Sequence, residues 1–121
     1  MAREKLHTLT EQMFYVLLCF CEECCGTDVM KKTSKITNDR VKIGSGILYN
    51  LIEQFTGEGI IQETKAEGRK RNYVLTEKGR EILENEYRRL QQQIEDYNQL
   101  GKGVLNYGIG NKISGAAYLH N

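Results

Sequence analysis

Residues 44–76 read GSGILYNLIEQFTGEGIIQETKAEGRKRNYVLT. Leu48, Leu51, Ile52 and Phe55 recur at i, i+3, i+4 and i+7, which predicts a short helix with one apolar stripe to bury. At 100° per residue, Gly46, Asn50 and Glu53 fall farthest from that stripe, with Ser45 and Tyr49 on its flank. Small and hydrogen-bonding groups are therefore left on the open side near the helix N-terminus, as in a helix built to read something outside the chain. Ile60–Lys65 and Arg71–Leu75 are strand-length runs of β-branched, polar and aromatic residues, and the polar segment 66–70 between them holds Gly68, free to take a positive φ. This predicts a hairpin with Arg69, Lys70 and Arg71 at its tip. Three consecutive cations repel one another unless an anion faces them.

Upstream, Thr8 and Glu11 have capping-box spacing and Thr10 is an alternative cap, so a helix is expected to start there and run to about Cys24. Its apolar residues, among them Phe14, Leu17 and Leu18, cover more than one stripe, more than a small monomer can bury. Gly26 is expected to break this helix and Thr27 with Asp28 to cap the next, with Val29, Met30 and Ile36 inward and Lys31, Lys32 and Lys35 outward. The turn Thr37-Asn38-Asp39 ends it, and Val41 and Ile43 alternate with Arg40 and Lys42 on the way into the reading helix. The unit is a helix-turn-helix with an extended turn. Downstream, Thr76 caps a last helix in which Leu83, Tyr87, Leu90, Ile94 and Tyr97 are spaced 4, 3, 4 and 3, a seam for a partner helix.

Gly46-Ile47-Leu48-Tyr49, Glu58-Gly59-Ile60-Ile61, Gly68-Arg69-Lys70-Arg71-Asn72-Tyr73 and Leu75-Thr76-Glu77-Lys78-Gly79-Arg80 together resemble the PadR-like winged-helix transcription regulators, in the family's order and spacing, over roughly residues 8 to 97. The family usually has a proline after the tyrosine of the reading helix. This chain has Asn50 there and contains no proline. A proline in a first helical turn costs little, so the change is expected to alter contacts more than fold. The resemblance implies a mainly α fold with a small β-wing: a winged helix-turn-helix over residues 1–76, a dimerisation helix over 77–100, and a glycine-rich tail over 101–121 outside the match. It implies a repressor that binds a palindromic operator on double-stranded DNA as a homodimer. Lys31, Lys32, Lys42, Ser45, Gly46, Tyr49, Asn50, Arg69, Lys70 and Arg71 are the candidate DNA contacts. Phe14, Leu17, Leu18, Leu83, Tyr87, Leu90, Ile94 and Tyr97 are the candidate dimer contacts. Such regulators often respond to small aromatic or lipophilic compounds, so an effector is a candidate partner, with Phe14, Tyr15, Tyr87 and Tyr97 as lining residues or else as plain interface core. The competing reading is a winged-helix module that uses the same surfaces to bind protein.

The net charge of +1 does not by itself announce a nucleic-acid partner, but its distribution is uneven. Gly26–Leu75 holds nine Lys or Arg against six Asp or Glu, while Thr76–Leu100 holds four against six. The positive excess lies where the resemblance puts DNA. The longest apolar run, Met13–Cys21, is too short to cross a bilayer and no secretory signal is evident, so a cytoplasmic protein is expected. Cys19, Cys21, Cys24 and Cys25 are expected on one helix as apolar packing rather than as a metal or redox site, the histidines being distant at His7 and His120. No nucleophile with a base, phosphate-cradling loop or metal-ligand pair is present, so neither catalysis nor a cofactor is implied.

Overall fold

The computed structural model describes residues 8–101, and the tail from Lys102 onward, read above as glycine-rich, lies outside them. Among the described residues four helices and three short strands follow one another as α1 (Glu11–Cys19), β1 (Cys24–Cys25), α2 (Gly26–Thr37), α3 (Ser45–Gly57), β2 (Ile61–Glu67), β3 (Lys70–Leu75) and α4 (Glu77–Leu100). The strands form one antiparallel sheet in the order β1-β3-β2.

Thr10 is the N-cap of α1, its hydroxyl accepting the Met13 N–H at 3.1 Å. The helix ends at Phe20, well before Cys24, so the four cysteines do not share one helix. Chain pairing is what shortens it. Cys24 and Cys25 extend and pair with Tyr73 and Asn72 of β3, and Leu75 donates its N–H to Phe20 O at 2.9 Å. Gly26 does not break a helix but begins α2, with Cys25 as N-cap. The Asp28 carboxylate accepts the Cys25 N–H at 3.1 Å and the Cys25 thiol at 3.2 Å. These bonds hold the Asp28 carboxyl below the usual carboxylate range.

The helix-turn-helix is closed by a buried hydroxyl. Thr37 Oγ1 donates to Thr33 O at 2.7 Å and accepts the Val41 N–H at 3.1 Å, across a turn in which Asn38 and Asp39 take positive φ. Arg40 ties this turn to α1 through Glu11 at 3.1 Å and Tyr15 at 3.2 Å. Leu48, Leu51, Ile52 and Phe55 bury the expected stripe of α3 against Val16, Leu17, Phe20, Val29, Val41, Ile43 and Ile60. Ile36, expected inward, is instead 71% exposed, because Val29, Thr33 and Thr37 supply the buried face of α2.

Glu67 and Lys70 pair, leaving Gly68-Arg69 as a two-residue hairpin loop with Gly68 at φ +63. Both strands run closer to the tip than their composition suggests. Thr76 Oγ1 caps α4 by accepting the Gly79 N–H at 3.1 Å and donates to Gly59 O at 2.6 Å. Gly79 sits so close to the α3–β2 turn that a Cβ would run into the Ile60 carbonyl. The compact unit containing the winged helix reaches Glu86, whose carboxylate accepts the Leu9 N–H at 3.3 Å. A second unit begins at Tyr87 and includes the rest of α4, along which Tyr87, Ile94, Tyr97 and Leu100 are exposed. No helix among the described residues is long and apolar enough to cross a membrane.

Candidate nucleic-acid interface

With its stripe in the core, α3 leaves Ser45, Gly46, Ile47, Tyr49, Asn50 and Glu53 exposed. Gly46 meets no atom within 4 Å of where a Cβ would stand, and its φ is not positive, so nothing in the described chain requires glycine there. Tyr49, 49% exposed, lays its ring over the start of α2: a Cβ on Gly26 would lie 2.6 Å from its hydroxyl oxygen. Gly26 is thus the gap that seats Tyr49, which orients the tyrosine while its other side stays open. Ile47, outside the candidate contacts named from the sequence, is exposed as well, and on the helical wheel it lies between buried Leu51 and exposed Asn50.

The wing is different in kind. Along β2 Ile61 alone is buried, and along β3 only Leu75 is. Tyr73 steadies its base through an edge contact with Phe20, ring centroids 5.8 Å apart. Burial and the nearby Glu63 charge push the Tyr73 hydroxyl above its usual range. The three cations are not equivalent. Arg69 is in the loop, Lys70 opens β3, and Arg71 is paired with Glu63 at 3.2 Å. Among the described residues Lys31, Lys42, Arg69 and Lys70 are exposed and in no ion pair.

Lys32 is likewise exposed and in no ion pair among the described residues, and with Tyr15, Leu18, Cys19, Lys35 and Ile36 it lines an open cavity of about 630 Å³ between α1 and α2. Of the four aromatic residues weighed as effector contacts, Tyr15 is in that lining. Leu17, expected at a dimer contact, has no exposed surface, because it faces the core between Val16 and Phe20. Leu83 is partly buried against the same core. Phe14 is partly buried, Leu18 is 37% exposed, Leu90 is half-buried, and Tyr87, Ile94 and Tyr97 are exposed.

Apolar packing holds for Cys24 and Cys25, which are buried, and in part for Cys19, but Cys21, expected with them, is exposed. Cys24, buried, donates to Cys19 O at 3.5 Å, and burial pushes its pKa up to about 11. Burial also raises Cys19, whose sulfur is 3.5 Å from Thr33 Oγ1, and Cys21. A raised pKa keeps a thiol protonated and poorly nucleophilic at neutral pH. No group of three or more metal-ligating side chains occurs among the described residues.

A helix-turn-helix whose second helix presents an open polar face, followed by a cationic β-hairpin, defines a winged-helix transcription regulator. Residues 16–85 match the model of the Transcriptional regulator PadR-like family, and the chain belongs to that family, whose members are regulators and not enzymes. Solved structures agree on the fold. A PadR-like transcription factor from Bacteroides fragilis is 19% identical with a TM-score of 0.63, covering 74% of this chain and 88% of its own. A PadR family regulator from Eggerthella lenta is 17% identical with a TM-score of 0.63, covering 74% and 80%. RosR of H. salinarum is 14% identical with a TM-score of 0.62, covering 84% and 96%. No curated protein sequence matches the chain.

Proposed function

We propose that this PadR-like regulator is a homodimeric repressor that binds a palindromic operator in the cytoplasm. Each subunit lays the first turns of α3 in a major groove, with Ser45, Gly46, Tyr49 and Asn50 toward the DNA, while Arg69, Lys70 and Arg71 of the wing and Lys31 and Lys42 meet phosphates. The observation that carries this reading is the pairing of an open helix face with Lys31, Lys42, Arg69 and Lys70, cations that the described chain leaves without ion partners. Repression follows from occupancy: a bound dimer excludes polymerase. Leu18 of α1 and Tyr87, Leu90, Ile94 and Tyr97 of α4 form the dimer contact, with Phe14 at its margin. A small aromatic or lipophilic effector relieves repression, and the apolar cavity beside Tyr15 offers it room.

Two experiments test the reading. Replacing Arg69 and Lys70 by Ala weakens binding to operator and random duplex alike, and flattens the slope of log K against log salt by about 0.9 for each phosphate that the wing ceases to neutralise. An unchanged slope removes the wing from the interface, and a wild-type chain that binds no duplex at low salt turns the molecule into a protein-interaction module. Sedimentation at tens of micromolar shows a dimer for the wild type and a monomer for Leu90→Lys, because a charge in an apolar seam is left without water or partner. A monomeric wild type overturns the dimer.

A further inference from the structure

The open face of α3 carries one side chain that polar contacts do not use. Ile47 is 45% exposed, although the core of the same helix is already complete with Leu48, Leu51, Ile52 and Phe55. An isolated exposed isoleucine would need no explanation. This one stands beside Gly46, whose missing Cβ meets nothing in the described chain, and one turn before the exposed Asn50. Gly46 and Ile47 are the second and third residues of α3, in the turn that opens the helix. The pair leaves a methyl-bearing surface next to a clear approach to the backbone.

We propose that Ile47 selects the operator by packing on the C5-methyl of a thymine, beside an adenine held by Asn50. This deepens the DNA reading above and rests on it. In the major groove thymine alone presents a methyl group, and a side-chain amide pairs with adenine through two bonds. Residues i and i+3 are separated by about 4.5 Å along a helix, and base pairs by about 3.4 Å, so the two contacts fall within a step or two of each other. Gly46 lets the helix lie deep enough for the short isoleucine to reach. Each half-site therefore holds adjacent or nearly adjacent A·T pairs under the first two turns of α3.

The test uses the full chain and an operator selected by it from random duplexes, in which each thymine is replaced singly by deoxyuridine, deleting only the methyl. One thymine per half-site is expected to lose about fourfold in affinity on replacement, the worth of one buried methyl. Ile47→Ala binds the two duplexes equally at that position with an unchanged salt slope, Ile47→Val keeps the discrimination, and Asn50→Ala keeps it too. A selected operator in which no thymine responds overturns the assignment of Ile47 while leaving the DNA reading intact, as does a response that survives in Ile47→Ala. If no sequence is enriched at all, sequence-specific reading itself fails, a separate result.

Discussion

The reading helix and the wing are neighbours in sequence and opposites in construction. Four side chains of α3 are buried in the core, whereas β2 buries only Ile61 and β3 only Leu75. A helix seated that firmly holds its open side chains in one geometry, which base-edge contacts require. A hairpin secured at its base and by backbone pairing carries its cations on exposed side chains, which is enough for phosphates. Under the proposed function the two elements divide the work: precision falls to the element the core holds, attraction to the element it does not.

The largest effect expected from this contrast is on stability. Phe55→Ala, which empties a fully buried site on α3, costs about 3–5 kcal/mol, while Glu67→Ala at the wing tip stays within about 0.5 kcal/mol. Denaturant unfolding of both variants measures it, and comparable losses would erase the distinction. Asn50→Ala sharpens it at the DNA, narrowing the gap between operator and random duplex by about 1–3 kcal/mol with the salt slope unchanged, where wing variants move the slope. A changed slope would make Asn50 a backbone contact.

Gly46→Ala separates fold from function on α3 itself. Having open space for a Cβ, the variant is stabilised by up to about 1 kcal/mol in thermal unfolding, yet binds operator more weakly because the methyl holds the helix off the groove. Undiminished affinity would show that no close approach occurs there. The smallest effect probes what secures the base of the wing. Asp28→Ala removes the acceptor that caps α2 beside the β1–β3 pairing and costs about 0.5–1 kcal/mol. Because the folded-state pKa of Asp28 is lowered, its contribution is present above the unfolded carboxylate pKa of about 4 and is lost as pH falls through the folded value. Wild type and variant should therefore converge in stability toward acid, and a constant difference would contradict the role of the charge.

Local pattern was enough for the elements whose period is short. The stripe of α3, the alternation of Val41 and Ile43 with their lysine and arginine neighbours, the Thr76 cap and the positive φ of Gly68 all follow from residues within a few positions of one another. Those signals place α3 and the wing, while the family follows from the motif resemblance and the family model matched over residues 16–85. What the sequence could not carry was any choice made by a distant partner. Cys24 and Cys25 look like the end of an apolar helix, and they form a strand because β3, nearly fifty positions later, offers an edge to pair with. Leu17 and Leu18 are adjacent and equally apolar, yet one is sealed in the core and the other faces outward. Which is which depends on where α2 and α3 pack. Arg71 looks as free as Arg69 until the hairpin register brings Glu63 to it. Periodicity is a property of a segment, and the sequence alone determined it. Burial, pairing and the freedom of a charge are properties of what the segment meets, and the tertiary structure decided those.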